Sequence, residues 1–171
     1  MKFFLFFTML FSLLCCSQTQ QPVKNLNMEM KTNPHYSRTD RTKIDVPDSE
    51  WKKILNPDLY AIAREAATER PFTGKYNEFD VKGHYYCAVC GNHLFYSTSK
   101  FASSCGWPSF FEADKEGVSY KRDSSHGMER IEVLCKRCDS HLGHVFNDGP
   151  QPTGMRYCMN SVSLDFEADE K

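Results

Sequence analysis

Cys87-Ala88-Val89-Cys90-Gly91-Asn92 returns in the same form further along the chain as Cys135-Lys136-Arg137-Cys138-Asp139-Ser140. A Cys-x-x-Cys pair grips one metal ion from a single turn, and two such pairs complete a closed, tetrahedral four-thiolate site of the structural zinc kind. A residue suited to a tight turn follows each second thiolate, Gly91 in one pair and Asp139 in the other, as a knuckle that folds its amides back toward sulfur requires. The six cysteines of this region could pair as three disulfides instead, and spacing alone does not choose among the pairings. A filled zinc site contributes ~10–16 kcal/mol of apparent binding free energy against ~2–4 kcal/mol for a disulfide, so one structural zinc on Cys87, Cys90, Cys135 and Cys138 is the expectation. Cys105 and Cys158 are then left for thiol chemistry.

Around the knuckles the chain reads as strand and turn. Short runs of Phe, Tyr and Val alternate with Gly, Asn, Asp and Pro at Tyr85-Tyr86, Leu94-Phe95-Tyr96, Ile131 to Leu134, Val145-Phe146 and Met155 to Phe166. Helix signals are confined to the N-terminal side of this region. Asp48 or Ser49 is placed to cap a short helix through Leu55, and Asn56-Pro57 restarts one that runs through Ala66 until Pro71 ends it. The predicted fold is all-β, mainly antiparallel, with short N-terminal helices and a pair of zinc knuckles.

The flanks read differently. Lys2 followed by the apolar run Phe3 to Leu14 suits a signal peptide and is too short to cross a bilayer. Leu13-Leu14-Cys15-Cys16-Ser17 looks like a lipoprotein cleavage box, with Cys16 the candidate for acylation, although an ordinary secretory signal fits the same apolar run. Either reading takes the chain out of the cytoplasm, to the periplasm or cell envelope. Residues 17–47, rich in Gln, Asn, Thr, Lys and Pro, are expected as a flexible tether, 48–166 as one folded domain, and 167–171 as an acidic tail. A formal net charge of −1, with no Lys/Arg stripe, argues against a nucleic-acid or acidic-lipid surface.

Three segments carry candidate chemistry. Arg156, Cys158 and Asn160 alternate, so in an extended strand they share a face, which Val162, Leu164 and Phe166 would continue into the core. A guanidinium stabilising the Cys158 anion by ~2.7 kcal/mol would make thiolate its main form near neutrality, and Cys158 is the leading nucleophile. A histidine can protonate a departing oxygen near neutral pH; of His141 and His144, His144 is the better acid, His141 a supporting donor and Asp148 a candidate orienter. Three positions apart, the two histidines serve one pocket only if the strand bulges or bends near Gly143. In Ser104-Cys105-Gly106-Trp107-Pro108, a turn presents the indole of Trp107 as an apolar wall suited to a methyl group and sets Cys105 where it can reach another sulfur.

Taken together, Glu69 to Gly74, Cys87 to Gly91, Ser104 to Phe110, Ser125 to Met128, Cys135 to Cys138, His141 to Phe146 and Arg156 to Ser161 resemble the type B methionine-R-sulfoxide reductases. The resemblance spans about Ser49 to Phe166. It implies two small antiparallel sheets, Cys158 as nucleophile, Cys105 as resolving thiol, Trp107 at the methyl group, and His141, His144, Asp148, Arg156 and Asn160 around the sulfoxide. It further implies oxidised proteins or peptides as substrate and a thioredoxin-like reductant that reopens a Cys105–Cys158 disulfide. Ser104, Asn147 and Met155 depart from residues frequent in that family. A zinc-knuckle adaptor would need only the four metal thiolates, and a general thiol-disulfide oxidoreductase would need a reactive Cys-x-x-Cys that both pairs here look too committed to supply.

Overall fold

The computed structural model describes residues 33–170, so the expectations for the signal peptide and for Cys16 lie outside the described residues. Two helices, α1 (Asp48–Ile54) and α2 (Pro57–Glu65), precede nine strands: β1 (Gly83–Cys87), β2 (His93–Tyr96), β3 (Lys100–Phe101), β4 (Ser109–Phe110), β5 (Val118–Asp123), β6 (Arg130–Cys135), β7 (His141–Phe146), β8 (Arg156–Met159) and β9 (Leu164–Ala168). The Asn56 side chain accepts from Leu59 N at 2.8 Å with Pro57 in the first turn, as the sequence predicts. α1 differs: Pro47 holds the N-cap, and Asp48 lies inside the first turn, where its charge meets the positive end of the helix. α2 also stops short of Pro71, because Ala66 turns left-handed at φ 54°.

All strand pairs are antiparallel and form two sheets, one of three strands in the order β2-β1-β9 and one of six in the order β3-β4-β8-β7-β6-β5. Aromatic rings weld them together. Phe95 of β2 stacks on Phe110 of β4 with centroids 4.3 Å apart, and Tyr85 of β1 meets Phe110 edge-on at 4.9 Å. Each such pair adds ~0.5–1.5 kcal/mol beyond the area it buries.

The continuous strand expected from Met155 to Phe166 is broken. Glu69 accepts from the amides of Ser161 and Val162 at 2.7 and 3.0 Å, drawing them away from any ladder, and a 3-10 turn at Ser161–Ser163 results. Arg156 and Cys158 thus belong to the six-stranded sheet while Leu164 and Phe166 cross to the other. β9 then runs on through Ala168, so Glu167 belongs to the sheet and not to an acidic tail; it bonds Tyr86 and Arg38.

Residues 33–47 likewise depart from the expected tether. Ser37 N donates to Cys90 O at 3.0 Å, Tyr36 bonds Asp165, and Ile44 and Val46 pack on the core. Arg137, in the middle of the second knuckle, explains why a polar segment lies down here. Only 4% exposed, its guanidinium donates to the carbonyls of Thr42, His35, Ser37 and Cys90 and pairs with Asp40 at 3.0 Å. One buried cation replaces the apolar contacts that the composition lacks. Arg137→Ala would strand these carbonyls at roughly 1–3 kcal/mol. We expect the arm to become cleavable by trypsin at Arg38 or Arg41 under conditions that leave the parent intact, read by mass spectrometry of the fragments.

Candidate active site and metal centre

Strand register builds the site. Ser109, Cys158, His144, Glu132 and Lys121 stand opposite one another in turn across β4, β8, β7, β6 and β5, a transverse row on one face of the larger sheet. Directly opposed side chains on neighbouring strands have Cβ atoms ~4.5–5.5 Å apart, so this register alone brings a thiol beside an imidazole and the imidazole beside a carboxylate. β7 carries the bulge the sequence demands. Val133 opposes Gly143 and Leu134 opposes His141, which leaves Leu142 as the extra residue and turns both histidines to one side, rings 5.4 Å apart. Gly143 is obligatory for another reason: a Cβ there would fall 2.1 Å from the carbonyl oxygen of Cys158.

A cleft of about 110 Å³ opens over this row, lined by Thr68, Trp107, Arg130, Gly143, His144, Phe146, Cys158, Met159 and Asn160. Trp107 is fixed by its indole N–H on Glu69 O at 3.2 Å. Cys105 lies just behind, its Sγ 3.5 Å from that of Cys158. Four of the predicted residues therefore face the cleft and one backs it. Asn160 is also a strut: its side chain donates to Leu142 O at 3.2 Å and accepts from Glu69 N at 3.0 Å.

The remaining assignments shift. Asp148 orients no histidine; its carboxylate takes two 2.9 Å bonds from Arg156, whose guanidinium lies 4.5 Å over the Phe146 ring. The histidines have other carboxylates. His141 Nδ1 is 2.7 Å from Glu132 Oε1, and His144 Nε2 is 2.8 Å from Asp123 Oδ2, which Arg130 also holds at 2.6 Å. Bonds from Ser125, then His144 and Arg130, keep the Asp123 carboxyl well below the usual range. His141 is 3% exposed and outside the cleft lining, so it supports His144 from behind; burial lowers its pKa despite Glu132.

Proton placement on the two sulfurs is the reverse of the sequence expectation. Burial pushes the Cys158 thiol up to about 12, with Cys105 adding to the shift, and Arg156 only partly opposes it because Asp148 already neutralises that guanidinium. Burial also acts on Cys105, yet Ser103, Ser109, the Trp107 backbone and Cys158 together outweigh it and bring that thiol down to about 7. Protonation is thus favoured on Cys158 and disfavoured on Cys105.

The four cysteines predicted as metal ligands come together. Cys87, Cys90, Cys135 and Cys138 are buried and unoxidised, with all four Sγ within 4.8 Å and the pairs 87/138 and 90/135 at 3.7 and 3.6 Å. Four sulfurs at ~2.3 Å from one ion stand ~3.8 Å apart, so the donors fit a tetrahedral metal of the zinc type. Gly91 and Asp139 take positive φ, 76° and 55°, and each donates its amide to the carbonyl of the first cysteine of its pair. Ser140 Oγ, 3.2 Å from Cys138 Sγ, and Asn92 Nδ2, 3.7 Å from Cys135 Sγ, supply polar contacts to sulfur.

A β scaffold with a four-cysteine cluster fit for a metal ion, presenting two neighbouring sulfurs beside a carboxylate-held histidine, defines the class of thiol-dependent reductases. The SelR domain model matches residues 55–168, and the chain belongs to the peptide methionine sulfoxide reductase MsrB family. It is 53% identical to the MsrB of Leptospira interrogans over 74% of this chain and 98% of that protein. Against the MsrB of Pseudomonas savastanoi the figures are 59%, 72% and 95%, and against that of Methanosarcina barkeri 52%, 75% and 91%.

Because one proton separates the two thiols so widely, brief treatment of the reduced protein with iodoacetamide is expected to label Cys105 before Cys158. The labelling rate should rise through a midpoint near pH 7, as peptide mapping would read; preferential modification of Cys158 would contradict the assignment.

Proposed function

We propose that this protein reduces methionine-R-sulfoxide in oxidised proteins and peptides to methionine, with Cys158 as nucleophile and Cys105 as resolving thiol. Membership of the MsrB family supports the reaction, and the observation that carries the roles is that Cys158 is the sulfur lining the cleft, together with Trp107, His144 and Asn160, while Cys105 backs it. The sulfoxide methyl packs on the Trp107 indole. Cys158 passes its proton to the Cys105 thiolate 3.5 Å away and attacks the sulfoxide sulfur, while His144 protonates the oxygen. The S–O oxygen leaves the substrate, methionine departs, and Cys158 carries it as a sulfenic acid. Cys105 then condenses with Cys158, forming the disulfide and releasing water. A dithiol of the thioredoxin type restores both thiols by exchange. His141, Arg156 and Asp148 act at one remove, by holding His144, Phe146 and the β8 strand.

The four-cysteine centre is read as one structural zinc, which when bound supplies cross-linking and has no open position for chemistry. Cys16 is read as the acylated N-terminus of a lipoprotein on the extracytoplasmic side of a membrane, on the strength of the Phe3 to Leu14 run and the cysteines that follow it.

With a racemic sulfoxide peptide, conversion should stop at half. Cys158→Ser should abolish methionine release, and Cys105→Ser should give about one methionine per chain in a single turnover. Full activity in Cys158→Ser would overturn the nucleophile. Metal analysis should return one zinc per chain, and the mature N-terminal peptide should show the mass of an acylated cysteine.

A further inference from the structure

The parallel between the knuckles extends beyond their thiolates. The first continues as Cys87-x-x-Cys90-x-x-His93-Leu94 and the second as Cys135-x-x-Cys138-x-x-His141-Leu142. In each, the leucine is the extra residue of a bulge, since Tyr85 opposes Phe95 while Tyr86 opposes His93, just as Leu142 is skipped in β7. In each, the histidine Nδ1 meets a carboxylate: His141 with Glu132 at 2.7 Å, His93 with Asp114 at 2.9 Å. The second copy stands behind the candidate active site. The first lies in the other sheet and serves nothing described so far.

His93 also has a second imidazole against it. His84 Nδ1 is 3.2 Å from His93 Nε2, and His84 Nε2 is 3.4 Å from Asp169 Oδ1. A carboxylate on one ring nitrogen fixes the proton there and leaves the other nitrogen as a lone pair, the usual preparation of a metal-ligating histidine. His93 is held this way by Asp114, and in the His84 tautomer that keeps its proton toward Asp169 two lone pairs converge, an arrangement that repels until a cation lies between them. Two imidazole nitrogens bound at ~2.0–2.1 Å to one tetrahedral ion stand ~3.4 Å apart, close to the spacing here. His93 is buried and the His84 side chain is 37% exposed, so an ion would enter from solvent past His84, with the rings of Tyr96 and Tyr86 as flanking walls. Arg41, 3.8 Å from the same Asp114 oxygen that meets His93, favours the ionised carboxylate that the arrangement needs.

We propose that His84 and His93, backed by Asp169 and Asp114, form a second metal site for an imidazole-preferring divalent ion of the zinc, nickel or copper class, with water completing its coordination. The alternative occupant is a single shared proton. To separate them, the full zinc-loaded chain is prepared with Cys15, Cys16, Cys105 and Cys158 changed to serine, so that the only thiols are those of the four-cysteine centre, and Ni²⁺ is titrated by equilibrium dialysis. One Ni²⁺ per chain beyond the zinc is expected. His84→Ala, at a partly exposed position of β1, should remove it, His93→Gln should do the same, and Asp114→Asn should weaken it about 10–100-fold, whereas His126→Ala should change nothing. Absence of Ni²⁺ uptake by the parent, or uptake undiminished in His84→Ala, overturns the proposal and leaves the shared proton.

Discussion

Four sulfurs gathered within 4.8 Å hold together pieces of chain that have little else in common. Cys87 ends β1 in the three-stranded sheet and Cys135 ends β6 in the six-stranded one, so closing the cluster joins two sheets that also meet through stacked aromatic rings. The same closure sets the direction in which β2 and β7 leave their turns, and hence where each downstream histidine falls. The row of Cys158, His144 and Glu132 hangs from β7 and the strands on either side of it. Arg137 extends the clamp by binding the arm of residues 33–47 to the knuckle from outside.

Against that rigid frame the two reacting sulfurs are placed by different means. Cys158 sits in a ladder, opposite both His144 and Ser109, and cannot shift without its strand. Cys105 rides a turn closed by Phe72 N on Gly106 O and tuned by serine hydroxyls. Desolvation favours the protonated form of Cys158 while the surroundings of Cys105 favour its anion, which couples the two before any substrate arrives.

How much of this could be read beforehand follows from what kind of signal each residue emits. Cysteines at fixed spacing, a tryptophan held between glycine and proline, and histidines beside a glycine are rare enough to declare themselves, and they led to the metal centre, to the cleft wall and to the need for a bulge in β7. Carboxylates do not. Glu132 and Asp123 lie in strands of alternating character where an acid looks like part of a solvated face, and only the register across five strands turns them toward imidazoles. Asp148, closer in sequence to the histidines, drew the assignment that belongs to them. Residues 33–47, the described part of the expected tether, depart from it for a related reason: composition counts apolar residues, whereas much of what holds this segment is polar, with an arginine a hundred positions away at its centre. The long final strand failed because Glu69, from an earlier loop, captures the amides of Ser161 and Val162.

The 3.5 Å gap between Cys105 and Cys158 has a mechanical meaning. A sulfur–sulfur bond of ~2.05 Å is formed by closing about 1.5 Å, a nudge of one turn and no rearrangement of strands. Spent and ready forms of the molecule would thus present nearly the same outline. Whatever regenerates it must tell them apart at the rim of the cleft, atom by atom, and not by any change of silhouette.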